Sequence, residues 1–205
     1  MVDVVLLELE GVIFDTHEIR EASLREAIAA HGLESLTGAD EVLTDLIALR
    51  AARAFSARIA TGGLAMQPGA RALLESAAGS ARLAIVTRAT RSEVDSMLRL
   101  AGLDDLFAVT VCADDVLAAK PSPDCHNLAL DRLGRQRPVV SGGALALEDC
   151  LTGIRAAHAA GTRCIAVGPL APHLAIEADA FVDTLEGHTL LSLDRLSRPG
   201  MEHVQ

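Results

Sequence analysis

Glu8 and Glu10 come directly after the aliphatic run Val4 to Leu7, where a chain leaving a buried strand first turns polar. Two further runs end the same way, Leu83 to Val86 in Thr87 and Arg88, and Ala144 to Leu147 in Glu148 and Asp149; the run Ala108 to Cys112 leads into a loop that holds Lys120. In extended chain an i, i+2 spacing sends Glu8 and Glu10 to one side. With Asp149 they make an oxygen-rich pocket of the kind Mg2+ prefers. This set suits phosphoryl transfer: a carboxylate attacks phosphorus, a metal and a lysine neutralise the non-bridging oxygens, and a hydroxyl with backbone amides holds the phosphate. The second carboxylate protonates the leaving oxygen and later activates water. Crowding of like charges raises the proton affinity of one acid, which helps it serve as the donor.

Such residues meet only if the strands lie side by side with their carboxyl ends together. Six runs read as strands buried on both faces: Val4 to Leu7, Leu83 to Val86, Ala108 to Cys112, Ala144 to Leu147, Cys164 to Val167 and Phe181 to Val182. Helical patterns alternate with them over Pro68 to Ala78, Arg91 to Ala101, Pro123 to Leu133, Leu151 to Ala160 and Leu185 to Leu193, with Gly102, Gly134 and Gly161 as closing glycines. Alternation of this kind predicts an α/β fold with a doubly wound parallel sheet, whose ligands sit beyond the carboxyl ends of the strands. Val139 to Gly143 also resembles strand material, but Ala144 to Leu147 is preferred because it ends at Glu148 and Asp149.

The alternation breaks between Thr16 and Gln67, where two helical stretches, Glu18 to His31 and Ala39 to Ala60, occur with no strand between them. The expected organisation is therefore a core of residues 1–15 and 68–198, a small helical cap over 16–67 inserted after the first strand, and a frayed tail over 199–205.

Composition narrows the function classes. The 205 residues are half hydrophobic, and 18 basic against 28 acidic side chains give a formal charge of -10. Tyr and Trp are absent, which removes the stacking platforms of single-strand binders, and the negative balance repels phosphate backbones, so no nucleic-acid partner is expected. No apolar run approaches the ~18 residues of a membrane span, and the N-terminus carries no secretory signal pattern; the expected location is the cytoplasm. Cys112, Cys125, Cys150 and Cys164 form no CxxC pair and read as reduced, structural thiols.

The run Leu6 to Thr16, LLELEGVIFDT, resembles the first motif of the haloacid dehalogenase (HAD) superfamily, in its phosphatase and β-phosphoglucomutase-like branch, with Glu8 and Glu10 standing where that motif has aspartates. Thr87 matches the phosphate-binding Ser/Thr of the second motif, Lys120-Pro121-Ser122-Pro123-Asp124 the lysine motif, and Glu148-Asp149-Cys150 with Gly153 the acidic fourth motif. The resemblance spans about residues 4 to 185, and the joint match is specific although each piece alone is weak. It implies a Rossmann-like core with Glu8 as nucleophile and Glu10 as acid/base. Thr87 and Lys120 would hold phosphate, and Mg2+ would be bound by Glu8, Asp149, Glu148 and the backbone carbonyl of Glu10.

Each Asp to Glu change adds one methylene and moves the carboxylate by up to ~1.5 Å, where a misplacement of about 1 Å can cost on the order of 10²-fold in rate. The expectation is a surviving metal and phosphate site with reduced, altered or absent turnover. Arg88, after Thr87, is a candidate for a substrate anion or a surface ion pair. In the cap, Arg20 stands where many relatives have a histidine, which argues against mutase activity. His17, Arg50, Arg53 and Arg58 are further substrate candidates, with solvated surface charge as the commoner explanation. The leading reading is a Mg2+-dependent phosphatase of a small phosphorylated metabolite. The alternative is an inactive relative that binds phosphate or a protein partner, and carbon–halogen hydrolysis is disfavoured by Lys120 and the Glu148-Asp149 pair. Substrate identity and oligomeric state are left open.

Overall fold

The computed structural model describes residues 2–37, 39–140 and 142–198; the expected tail, 199–205, lies outside the described residues. Six parallel strands form one sheet: β1 (Val4–Leu7), β4 (Arg82–Val86), β5 (Val109–Val111), β6 (Ala144–Glu148), β7 (Arg163–Val167) and β8 (Ala180–Val182), in the order β5-β4-β1-β6-β7-β8. The chain winds from β1 outward to β5 on one side, then returns to β6 and proceeds to β8 on the other. This is the doubly wound arrangement expected from the alternation. Its reversal point lies beside β1, where open α/β sheets place their ligand crevice.

Register then does the positioning. Leu7 pairs with Ile85 of β4 and with Leu147 of β6, so the next residue on each side, Glu8 and Glu148, emerges at one level. Side chains alternate across a strand. Val5 and Leu7 join the core layer on one face, with Leu83, Ile85 and Leu147, whereas Val4, Leu6, Ala84, Val86 and Ala146 join the layer on the other. Glu8 and Glu148 continue the second series and point to the face covered by α5 (Asp124–Gln136), whose Cys125, Ala129 and Leu133 pack in that layer.

The helices α3 (Ala70–Ala78), α4 (Arg91–Ala101), α6 (Leu151–Ala159) and α8 (Leu190–Leu196), with the single turn α7 (Pro172–Ala175), complete the layers. The segment without a sheet strand holds α1 (His17–Ala29) and α2 (Glu41–Arg58), which pack on each other through Ile47, Phe55 and Ala27 and through the Arg58–Glu26 ion pair at 2.7 Å. Where the helical pair joins the sheet, β2 (Phe14–Asp15) and β3 (Ala65–Met66) pair antiparallel and bring residues fifty apart into contact. Two-residue strands carry no period for a sequence to show.

Several boundaries differ from expectation. The last helix begins at Leu190, not Leu185, because the Thr189 side chain caps it, with Ser192 answering in a capping box, after a left-handed turn at Gly187. Gly134 does not end α5, which runs on to Gln136. Pro68 lies outside α3 because Gly69 takes a left-handed φ of 80°. The second helical stretch stops at Arg58 and passes into a wider turn over Ile59–Gly63. Val139, Val140, Gly142 and Gly143 lie outside the strands, and the amide of Gly143 donates to the carbonyl of Val140.

Gly69 has a second reason to be glycine: a Cβ there would lie 2.2 Å from the carbonyl carbon of Leu185. Backbone cannot retreat as a side-chain tip can, and the positive φ adds strain. We expect Gly69→Ala to lower stability by about 3 kcal/mol or more, read as a shift in the midpoint of urea unfolding, whereas Gly79→Ala, with no atom near the added carbon, leaves the midpoint within about 1 kcal/mol.

Candidate active site

Lys120, in the loop before α5, is almost completely buried, and its ammonium sits between two carboxylates. Its Nζ donates to Glu8 Oε2 at 2.7 Å, to Glu148 Oε1 and Oε2 at 2.7 and 2.9 Å, and to the carbonyl oxygen of Val86 at 2.9 Å. Burial opposes the charge of Lys120, but Glu148 and Glu8 outweigh it and hold the ammonium above the ordinary lysine range. Glu148 is fully buried; burial pushes it up, yet Lys120 and His126 prevail and keep its carboxyl below the usual range. His126 Nε2 lies 3.0 Å from Glu148 Oε1, but without the alignment of a hydrogen bond. The length of Glu148 is accommodated by Gly153, where a Cβ would lie 1.9 Å from Glu148 Oε2.

The other oxygen of Glu8 accepts the amide of Leu9 at 2.9 Å and the hydroxyl of Thr87. Glu8, Thr87 and Lys120, from three separate strand ends or loops, therefore meet at one point. Asp149 completes the group. It packs against Gly11, where a Cβ would lie 2.4 Å from Asp149 Oδ2, and Gly11 takes a φ of 79° in the tight turn that leads from Glu10. Burial, and then the charges of Glu8 and Glu148, push Asp149 from an ordinary 3.8 up to about 6. Three carboxylates face one lysine, and Asp149 bears the imbalance.

Glu10 belongs to a second charge group. Arg20 of α1 grips it in a fork, with Nε donating to Oε2 and Nη2 to Oε1, both at 2.7 Å, and Thr16 Oγ1 donates to Oε2 at 2.7 Å. Arg20 also donates through Nη1 to Glu93 Oε1 at 2.5 Å and lies 3.5 Å over the ring of Phe55. Burial opposes the Arg20 charge, but hydrogen bonds to Glu10 and Glu93 raise its proton affinity above the ordinary value. Conversely, burial pushes Glu93 up and Arg20 more than offsets it, leaving the carboxyl low.

Glu8, Glu10, Gly11, Thr16, His17, Arg20, Arg88, Glu93 and Asp149 line a cleft of about 360 Å³ between the sheet end and α1. The structure thus brings Glu8, Glu10, Asp149, Arg88, His17 and Arg20 to one opening, whereas Thr87 and Lys120, bonded to Glu8, line a neighbouring cavity of about 210 Å³ that shares Arg88 with the cleft. Glu148 lies behind Lys120 and does not line the cleft. Arg50 and Arg53 are exposed on α2 and are not among the cleft residues, so the structure does not place them as substrate contacts. Arg58 is engaged with Glu26.

Sequence reading missed Glu93, whose only signal is the capping pattern from Thr90 to Glu93. It also missed His126, which carries no signal beyond its nearness to Lys120. The cysteines are unpaired, and burial pushes the thiols of Cys112, Cys125, Cys150 and Cys164 up. No described helix is long and apolar enough to cross a membrane.

Comparison with known proteins matches residues 44–167 to the haloacid dehalogenase-like hydrolase family. The chain belongs to that family. The matched span of this haloacid dehalogenase-like chain contains Thr87, Lys120, Glu148 and Asp149, and begins after Glu8 and Glu10. The chain is 29% identical over 197 residues to the protein CbbY of Cereibacter sphaeroides, covering 80% of this chain and 84% of that protein. It is 35% identical over 95 residues to the phosphorylated carbohydrates phosphatase of Thermotoga maritima, 46% of this chain and 42% of that one. The crystal structure of CbbY from Rhodobacter sphaeroides in complex with phosphate superposes with a TM-score of 0.80 at 29% identity, covering 95% of this chain and all of that chain.

Removing the lysine tests the geometry directly. Lys120→Met leaves Glu8 and Glu148 buried and without their cation, and breaking a buried pair from one side costs roughly 3–5 kcal/mol. Glu148 is held low by Lys120, so without it the carboxyl takes up a proton more readily and the loss shrinks as pH falls. Urea unfolding at pH 8 and pH 5 should show the larger deficit at pH 8.

Proposed function

We propose that the protein is a Mg2+-dependent phosphatase of a small phosphorylated metabolite, with Glu8 as nucleophile. The observation that carries this reading is the meeting of Glu8, Thr87 and Lys120 at one point beside Asp149. A carboxylate, a hydroxyl and an ammonium so placed are what attack on a phosphoryl group requires. An oxygen of Glu8 forms the bond to phosphorus as the ester oxygen departs, while Thr87 and Lys120 hold the phosphoryl oxygens. The Arg20 fork occupies both oxygens of Glu10, so proton transfer between Glu10 and the leaving oxygen requires one of those bonds to open.

The donor set fits a hard divalent cation. Asp149 offers carboxylate oxygens, lies partly buried beside two other acids, and has its proton affinity raised by burial and then by the charges of Glu8 and Glu148. Asp149 and Glu8 would hold the ion, with Glu148 behind them. When bound, Mg2+ supplies charge neutralisation at the phosphoryl oxygens. Arg88 lines the cleft next to Thr87 and has no ion-pair partner among the described residues, so it supports a substrate with a second anionic group. A similar protein, a variant of CbbY that superposes with a TM-score of 0.79 at 30% identity, is in complex with xylulose-(1,5)bisphosphate.

Phosphate release from sugar bisphosphates and from nitrophenyl phosphate, with Mg2+ present, tests the reading. We expect Glu8→Ala to abolish turnover, and the joint change Glu8→Asp and Glu10→Asp to raise it by on the order of 10-fold or more. Rates for the unaltered protein no higher than for Glu8→Ala would overturn the assignment, even with phosphate still bound. A second measurement addresses the metal. Because the Asp149 pKa is raised to about 6, its proton competes with the cation below that pH. The rise in melting temperature caused by Mg2+ should therefore grow from pH 5 to pH 7.5, and Asp149→Asn should remove it.

A further inference from the structure

The helix α2 leaves one side uncovered. Val42, Leu46 and Leu49 are 70%, 51% and 53% exposed, at a spacing of i, i+4, i+7 that aligns them in one stripe. Buried Ile47 and Phe55 occupy the other side, where α2 meets α1 and Arg20, and no residue of α2 lines the catalytic cleft. The stripe thus serves neither the core nor the cleft among the described residues.

Its flanking charges are divided along the helix. Asp40, Glu41 and Asp45 stand at the N-terminal end, Arg50 and Arg53 farther on. Among the described residues Glu41, Asp45, Arg50 and Arg53 enter no ion pair, in contrast to Arg58 of the same helix, which is held by Glu26. A segment that is apolar in the middle, acidic at one end and basic at the other is complementary to itself when reversed. An antiparallel second helix of the same sequence, related by a two-fold axis between residues 47 and 48, sets Leu46 opposite Leu49 and brings the acidic end of each helix against the basic end of the other. The opposed helix dipoles add to the match.

We infer that the α2 face is the contact surface of a homodimer, with a second copy of this chain as its occupant. The apolar part is short, which places the association in the reversible, weak class. This surface is independent of the phosphatase reading, since no residue of the cleft takes part.

Sedimentation of the full chain over about 10 to 500 µM tests it, with an expected Kd in the tens of micromolar. Leu46→Glu should weaken association at least about tenfold and leave the melting temperature unchanged, because the position is half exposed. Arg53→Glu alone should weaken it by about threefold or more, and Arg53→Glu combined with Glu41→Arg should return it to within about threefold of the original, an outcome that only reversed pairing of the two ends provides. A chain that stays monomeric over the whole range overturns the inference. So does association unaffected by Leu46→Glu, or a charge exchange that restores nothing.

Discussion

A single ammonium group in a dry space governs this molecule. Lys120 Nζ is surrounded by Glu8, Glu148 and the carbonyl of Val86, with almost no contact with water. Burying a charge is tolerable only when it is paired and hydrogen-bonded, so the carboxylates, the lysine and the backbone oxygen have to arrive together. Much of the architecture reads as the means of that arrival. The level register of β1 and β6 sets Glu8 beside Glu148, alternation turns both toward α5, and Gly153 leaves room for the longer acid. An added methyl group at Gly153 would strike the very oxygen that Lys120 bonds.

The same electrostatics divides the cleft into two charge groups. Around Lys120, three acids share one base; Glu8 and Glu148 hold the lysine, and burial together with their charges pushes Asp149 up. Around Arg20, two acids share one base that is stacked on Phe55. The first group lies wholly on sheet ends and their loops. The second spans the loop after β1, the first turn of α4 and both helices α1 and α2, so one guanidinium links the helical pair to the core. Any change that moves the helices relative to the sheet must therefore alter what Glu10 touches.

How much of this could be read from the sequence follows from what each feature leaves in it. Strands buried on both faces are continuous aliphatic runs, so all six are visible in place, and the polar residues after them, Glu8, Thr87 and Asp149, are legible as strand-end chemistry. Lys120 is legible only jointly with them. Partnership is not: Glu93 reads as an ordinary capping residue, and its contact with Arg20 joins positions 73 apart in the chain. The β2–β3 pairing has too few residues to show a period. Leu185 to Thr189 resembles helix because its apolar start fits the pattern that follows, while the Thr189 cap and the left-handed Gly187 decide where the helix begins. Arg50 and Arg53 are cationic residues on the expected cap, and a sequence cannot tell which side of a helix faces inward when one side carries Ile47 and Phe55 and the other Leu46 and Leu49.

The two first-strand acids show how a longer side chain is absorbed. An aspartate at either position would hold its carboxylate up to ~1.5 Å nearer the backbone. Here the partners stand at glutamate's reach: Lys120 Nζ at 2.7 Å from Glu8 Oε2, and the Arg20 fork at 2.7 Å from both oxygens of Glu10. Thr87 and Lys120 are thus engaged directly with Glu8, and under the proposed function an incoming phosphoryl group shares those donors with it. Arginine suits the other position for the same reason, since its planar fork holds a carboxylate at fixed geometry over a longer span than a histidine ring. The surrounding side chains are consequently matched to glutamate at both places, Lys120 and Thr87 to Glu8 and the Arg20 fork with Thr16 to Glu10.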